Sequence, residues 1–128
     1  MLLSFETLGP SDGEPLVFLH GLGAGRTRTI SSLNNLPDRH IIAPDMPGHG
    51  DSMSFDPATY SFDSFADHTI VLMDHLGLEK CYLGGLSMGS GITLNIALRY
   101  PNRFKKFVIL RPSWLDSPQP PHLKLSLI

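Results

Sequence analysis

The 128-residue sequence predicts a single α/β domain with a mostly parallel β-sheet flanked by helices. Its apolar runs are short and do not alternate with polar residues, which is typical of strands covered on both faces. Two longer helix-like stretches separate the later runs, and the first of them has its apolar residues at helical spacing. Because strands and helices alternate along the chain, we expect a parallel sheet joined by helical crossovers.

Four apolar runs are the candidate strands of this sheet. Each is three or four residues long, and none contains a charged side chain. An opening segment at 2–8 is expected to add an edge strand before the turn at 9–13, which contains glycine and proline. The four runs occupy residues 16–19, 41–43, 81–83 and 107–110.

The first long helix is predicted over residues 62–76, where apolar side chains form one stripe. Ser61 is placed to cap its N-terminus, and Asp63 suits the positive end of the helix dipole. Gly77 can adopt the left-handed conformation that ends a helix. Periodicity and end signals therefore agree on this element.

A second helix is predicted over residues 88–100 and ends before Pro101. This stretch carries little charge and contains two glycines, so we expect it to be well buried. Residues 21–37 have weak periodicity and are expected to form a loop with one short helix. The tail at 115–128 is rich in proline and has no predicted element.

Charge and composition exclude several classes of function. Ten Lys and Arg against 12 Asp and Glu give a formal net charge of −2, which predicts neither nucleic-acid binding nor a polybasic membrane patch. No apolar run approaches the roughly 18 residues of a membrane-spanning helix. The N-terminus has neither the basic segment nor the long apolar segment of a signal peptide. The single cysteine, Cys81, excludes an internal disulfide and is expected to be a small core residue. We therefore expect a cytoplasmic protein.

A G-x-S-x-G pattern at residues 85–89 lies between a predicted strand and a predicted helix. A serine on such a turn has a strained backbone and an exposed hydroxyl. Gly85 and Gly89 lack the Cβ atoms that would clash across so tight a turn. The helix N-terminus that follows favours developing negative charge. Ser87 is therefore the candidate nucleophile, and the alternative is a serine that only caps a glycine-rich helix.

A second glycine-rich segment, His-Gly-Leu-Gly at residues 20–23, directly follows the first buried strand. Acyl transfer needs two backbone N–H donors aimed at the developing oxyanion. We expect Met88, the residue after the nucleophile, to supply one donor and Leu22 to supply the other. Gly21 belongs to this loop, and His20 is expected to be structural rather than catalytic. The alternative is a simple glycine turn.

A third segment at residues 45–52 reads D-x-x-G-x-G-x-S and follows the strand at 41–43. Gly48 and Gly50 permit tight backbone geometry, and Asp45 can tie the turn together through its own side chain. We expect a structural role here and assign the segment no catalytic step.

Together, the three segments resemble the α/β-hydrolase superfamily, whose members carry an HG oxyanion loop, a D-x-x-G-x-G-x-S turn and a G-x-S-x-G nucleophile elbow in this order. The resemblance covers residues 16–114. It implies an α/β-hydrolase fold truncated after about the sixth strand. It also implies a serine hydrolase that acts on an ester-like small-molecule substrate through an acyl-enzyme on Ser87. No cofactor is implied, and the six histidines lack the spacing of a metal site.

The resemblance further implies a catalytic acid and then a histidine later in the chain. We expect both beyond Ile128, so the sequence is similar to the N-terminal half of such an enzyme. Within the chain, Asp116 and His122 are the candidate substitutes. A proline-rich tail is a poor support for a base that must reach the serine within about 3 Å, so a self-sufficient small esterase is the weaker hypothesis.

An interaction protein is the alternative from another functional class. The predicted last strand, at 107–110, is apolar and presents a flat sheet edge that could pair with another chain. Under this hypothesis the half-domain is catalytically inactive. We expect the chain, expressed alone, to be poorly soluble or to self-associate through that edge.

Overall fold

A computed structural model describes residues 2–112, in which strands and helices alternate in the predicted order. The five strands are β1 (Phe5–Leu8), β2 (Glu14–Leu19), β3 (Arg39–Pro44), β4 (Cys81–Leu86) and β5 (Phe104–Leu110). The three α-helices are α1 (Arg26–Ser32), α2 (Phe62–His75) and α3 (Met88–Arg99). Short 3₁₀ helices occupy Pro57–Thr59 and Pro101–Arg103.

The five strands form one sheet in the order β1-β3-β2-β4-β5. Strand β2 pairs in parallel with both β3 and β4, and β5 pairs in parallel with β4. Strand β1 runs antiparallel to β3 at the outer edge. The mostly parallel sheet and the edge strand in the opening segment are therefore confirmed. The resemblance implied about six strands, and the described residues contain five, which is one fewer.

The two central strands determine where the candidate site lies. Val17 and Leu19 of β2 and Leu83 of β4 are fully buried, as expected for strands with both faces covered. Leu19 is the register partner of Gly85. Because β2 and β4 are parallel, the loops that follow them leave the sheet side by side at the same edge.

Helix α2 begins and ends at the signals that the sequence indicated. The Ser61 hydroxyl accepts a hydrogen bond from the Ser64 N–H at 3.0 Å and caps the helix. Gly77 has a φ of +70° just after the helix. The apolar stripe, which includes Phe65 and Met73, is buried against the rest of the core.

Helix α3 is well buried over its first two turns, as predicted, whereas Leu98 and Arg99 in its last turn are exposed. Ile92 and Ile96 are completely inaccessible, and the glycines and small polar residues between 89 and 95 are buried with them. The helix contacts β2, β4, β5 and α2. Its N-terminus is therefore held rigidly at the carboxyl ends of the central strands. Within residues 2–112, no helix is long and apolar enough to cross a membrane.

Candidate active site

Ser87 occupies a strained turn between β4 and α3. Its φ of 57° and ψ of −113° lie outside the regions that residues other than glycine normally adopt. The Ser87 N–H donates a hydrogen bond to the Leu110 carbonyl at 3.0 Å, and the Ser87 carbonyl accepts one from the Ser90 N–H at 2.9 Å. This backbone conformation is the one that the G-x-S-x-G pattern predicted for a nucleophile elbow.

The two motif glycines are required because backbone atoms pass directly over them. A Cβ on Gly85 would lie 2.1 Å from the Gly89 carbonyl oxygen. A Cβ on Gly89 would lie 2.0 Å from the Leu19 carbonyl oxygen, at the end of β2. These close approaches let the turn close and bring the start of α3 onto the neighbouring strand.

The strained backbone at Ser87 is expected to lower the stability of the fold, although the same conformation presents the hydroxyl for the proposed chemistry. A residue with a Cβ held in such a conformation costs on the order of 1–3 kcal/mol, and glycine avoids most of that cost. We expect Ser87→Gly to have a free energy of unfolding about 1 kcal/mol higher than Ser87→Ala, measured by denaturant titration. An alanine variant as stable as the glycine variant would show that the turn carries no strain.

Ser90 is a residue of this site that sequence reasoning missed. Its hydroxyl is fully buried and lies 2.7 Å from the Gly85 carbonyl and 2.6 Å from the Leu110 carbonyl, either of which it can donate to. It also accepts a hydrogen bond from the Leu110 N–H at 3.1 Å. One side chain therefore fastens the end of β5 to the elbow. Its position directly after the last glycine of the motif was the available signal.

The loop that follows β2 lies against the elbow. A Cβ added to Gly21 would lie 3.5 Å from the Ser87 Cβ, at ordinary van der Waals distance, so the two segments are adjacent. The loop is tightened by a hydrogen bond from the Ala24 N–H to the Gly21 carbonyl at 3.1 Å, and the Gly23 N–H donates to His49 Nε2 at 2.9 Å. Leu22 stands out from the surface, with 78% of its area exposed.

His20 is buried beneath this loop and both of its ring nitrogens are engaged. Its Nε2 accepts a hydrogen bond from the Met46 N–H at 2.9 Å, so in the neutral ring Nδ1 carries the proton and donates to the Gly21 carbonyl at 2.7 Å. Burial lowers the pKa of His20 and keeps the ring neutral. The geometry fits the structural role that we predicted for this residue.

Asp45 is the centre of a buried polar cluster behind the loop. Its carboxylate accepts hydrogen bonds from the Ser4 hydroxyl at 2.8 Å, from the Asp51 N–H at 3.1 Å and from both the backbone N–H and the guanidinium of Arg26. The Ser52 hydroxyl donates to the Asp45 carbonyl at 2.8 Å. The side chain thus links Ser4, the start of α1 and its own turn, and only the contact with its own turn was indicated by the motif.

The electrostatics of this cluster favour a charged Asp45. Burial opposes ionisation, but the hydrogen bonds from Arg26, Ser4 and Asp51 outweigh it and hold the pKa of Asp45 below its ordinary value. Gly50 is necessary for this packing, because a Cβ there would lie 2.3 Å from the Asp45 carboxylate. Sequence reasoning did not identify Arg26, which also pairs with the exposed Glu6 and Asp51.

An open cavity of about 640 Å³ lies beside the loop that follows β2. Its lining is mainly apolar and aromatic, and it also includes the His49 ring and the segment around Gly48. Leu22, Pro47, Tyr60, Phe62 and Phe65 contribute the largest side chains.

Within residues 2–112, His68, His75 and Cys81 do not join this site. Asp116 and His122 lie outside the described residues. His75 is exposed on α2, and the ring of His68 packs edge-on against Phe55 at 4.6 Å. Cys81 is buried in the core, as expected, and burial raises the pKa of its thiol to about 11. Across residues 2–112, no three His, Cys, Asp or Glu side chains are grouped so that they could hold a metal ion.

Comparison with known proteins places the chain in a family. The model of the alpha/beta hydrolase fold matches residues 14–126. The 2-hydroxymuconate semialdehyde hydrolase of Pseudomonas sp. (strain CF600) is 36% identical over 110 residues, which are 83% of this chain and 39% of that protein. The dihydrolipoyllysine-residue acetyltransferase component of the acetoin cleaving system of Pseudomonas putida is 33% identical over 115 residues, or 89% of this chain and 31% of that protein.

A solved structure of an esterase is also similar to this chain. A thermophilic esterase from Thermogutta terrifontis aligns with a TM-score of 0.79 and 32% identity over 93% of this chain and 43% of the esterase. The chain thus spans less than half the length of each of these three proteins. Its elbow, its glycine loop and the match over residues 14–126 agree, and the chain belongs to the alpha/beta hydrolase fold family.

Proposed function

We propose that this chain carries the nucleophile and the oxyanion hole of a serine hydrolase that acts on an ester-like acyl substrate. The observation that carries the proposal is Ser87, held at a positive φ on the turn between β4 and α3 with the Gly21 loop beside its Cβ. The hydrolase and the esterase among the similar proteins support this reaction class. Membership of the fold family does not identify the substrate, because one fold supports many reactions.

The oxyanion hole is proposed to consist of the Leu22 and Met88 N–H groups. Met88 is the first residue of α3, so its N–H has no partner within the helix. In the neighbouring loop, the N–H groups of Gly23 and Ala24 are already engaged by His49 and Gly21, respectively. The Leu22 N–H is therefore the donor in this loop that we assign to the oxyanion.

The general base is proposed to come from outside residues 2–112. His20 cannot serve, because its ring nitrogens are held by Met46 and Gly21. The His49 Nε2 is likewise occupied by the Gly23 N–H. The tail candidates Asp116 and His122, or sequence beyond Ile128, are the two sources of the acid and the histidine.

The proposed reaction has two halves. The Ser87 hydroxyl oxygen attacks the substrate carbonyl carbon while the base takes its proton, and the oxyanion receives hydrogen bonds from the two backbone N–H groups. The intermediate collapses to an acyl-serine, and the leaving alcohol takes the proton from the base. Water then attacks the acyl group in the same way, releasing the acid and restoring Ser87. The cavity beside Leu22 is proposed to receive apolar parts of the substrate.

Covalent labelling tests this proposal directly. The complete product of the gene that encodes this chain is treated with a fluorophosphonate probe, and the modified peptide is identified by mass spectrometry. We expect the label on Ser87 and no label in Ser87→Ala. An unlabelled wild-type protein, or labelling that survives the substitution, would contradict the assignment.

The exposed edge of β5 supports a second candidate function, pairing with another copy of this chain. Within residues 2–112, β5 has a strand partner only in β4, and Val108 and Leu110 are each 42% exposed. Such an edge can pair with another strand. Analytical ultracentrifugation of the complete gene product separates the candidates. A monomer labelled by the probe favours the hydrolase, and an unlabelled dimer favours the pairing function.

A further inference from the structure

His49 uses both ring nitrogens to join the glycine loop to the turn at residues 46–49. Its Nε2 accepts the Gly23 N–H at 2.9 Å. Because Nε2 is an acceptor, Nδ1 carries the proton in the neutral ring and donates to the Pro47 carbonyl at 3.2 Å. The ring also lies 4.8 Å from the His20 ring, centroid to centroid, at an interplanar angle of 55°, so two tilted histidine rings lie together behind the loop.

The turn that carries His49 is itself firmly anchored. The His49 N–H donates to the Met46 carbonyl at 3.0 Å, and the Gly48 N–H donates to the Ser52 carbonyl at 2.8 Å. Asp45 fastens the start of this turn to Arg26 and Ser4. His49 is therefore a connection between a rigid support and the loop after β2.

The loop needs such a connection at this point. Gly23 has a φ of +78°, and a Cβ at this position would meet nothing within 4 Å, so local packing does little to restrain it. The contact that fixes the Gly23 N–H is the one with the imidazole. The Leu22 N–H belongs to the preceding peptide unit, which is joined to the Leu22–Gly23 unit at the Leu22 Cα. Holding the Leu22–Gly23 unit therefore leaves only the two backbone rotations at Leu22 to change the direction of the Leu22 N–H.

We propose that His49 is a positioning residue that holds the Leu22 N–H in line with the oxyanion. This inference rests on the proposed function and adds a residue to it, outside the nucleophile and the two donors. The His49 ring does not act as the base here, because its two nitrogens are engaged by Gly23 and Pro47. Its effect is expected in the transition state, where the oxyanion develops.

Three substitutions of His49 separate the contribution of the hydrogen-bond acceptor from that of the aromatic ring. Gln places its amide oxygen near the position of Nε2 and can accept the Gly23 N–H. Asn reaches only as far as Nδ1, and Phe keeps a ring of similar size without an acceptor. The measurement is the hydrolysis of a p-nitrophenyl ester by the complete gene product, with kcat normalised to the reactive serine titrated by the fluorophosphonate probe.

We expect His49→Phe and His49→Asn to lower kcat about 10- to 100-fold with KM changed less than about threefold, since a misplaced oxyanion donor acts mainly on the transition state. His49→Gln is expected to recover most of the lost rate. Equal rates in all variants would overturn the proposal while leaving the hydrolase assignment intact. A loss in the Gln variant as large as that in Phe would overturn it too.

Amide hydrogen exchange at Gly23 tests the same contact without any catalysis. We expect faster exchange of the Gly23 amide in His49→Phe than in wild type, and restored protection in His49→Gln. If the wild-type protein hydrolyses no ester, the proposed function fails, and Gly23 protection alone decides whether His49 holds the loop. Unchanged protection in His49→Phe would overturn the positioning role in every case.

Discussion

Replacing Ser87 with alanine is expected to lower kcat for ester hydrolysis by at least about 10⁴-fold in the complete gene product. Removing the nucleophile eliminates the covalent pathway, and what remains is the contribution of the oxyanion donors and substrate binding. Because the Ser87 backbone conformation is imposed by close backbone contacts at Gly85 and Gly89, the elbow is expected to stay in place when the hydroxyl is removed. The measurement is steady-state hydrolysis of a p-nitrophenyl ester.

Ser31→Ala is the matched control for this substitution. Ser31 is an exposed serine in α1, so the same atom is removed at a position that plays no part in the proposed site. We expect its kcat to stay within about twofold of wild type, in line with surface substitutions in general. Comparable activity in Ser87→Ala and Ser31→Ala would exclude Ser87 as the nucleophile.

Asp45→Asn is expected to produce the largest loss of stability, about 3–5 kcal/mol in the free energy of unfolding. The carboxylate is 1% exposed and is paired with the Arg26 guanidinium, and removing this buried charge leaves Arg26 only its exposed partners Glu6 and Asp51. The amide would also direct N–H donors toward groups that now donate to the carboxylate, including the Ser4 hydroxyl and the Asp51 N–H. Denaturant titration of the complete gene product measures the change.

Asp51→Asn provides a control that involves the same arginine. Asp51 pairs with Arg26 at 2.8 Å, but its side chain is 71% exposed. Solvent screens such a pair, so its loss is expected to cost no more than about 1 kcal/mol. Equal losses in the two variants would mean that burial of Asp45 does not determine its contribution.

The Asp45 pair also has a defined pH dependence. Its pKa is lowered in the folded protein, so the carboxylate contributes stability above the unfolded-state value of about 3.9, and this contribution is lost as the pH falls through the lower folded-state value. The Asn variant has no such group to titrate. The difference in unfolding free energy between wild type and Asp45→Asn should therefore shrink as the pH is lowered below about 4.

Much of this site could be predicted because its signals are local. The strain at Ser87 follows from a strand, a tight turn and a helix that are consecutive in sequence, and the flanking glycines reveal the close backbone approaches. The same is true of the capped start of α2 at Ser61. In both places, the residues that impose the backbone geometry are neighbours in the sequence.

The missed residues depend on contacts between distant parts of the chain. His49 and Gly23 are 26 positions apart, and Ser90 and Leu110 are 20 positions apart. Arg26 reaches Asp45 across 19 positions and Glu6 across 20. Such partners are specified by strand order and packing, and no local spacing rule gives the order β1-β3-β2-β4-β5.

That strand order also explains why the candidate site residues lie close together. From β2 the chain crosses to β3 on one side, and from β4 it crosses to β5 on the other. The two crossovers therefore leave the sheet on opposite sides, and the loops after β2 and β4 meet at a topological switch point of the sheet. Leu22 and Ser87 lie on these two loops. The location of the site is thus a property of the connectivity, and changes confined to these loops can alter the chemistry without rebuilding the sheet.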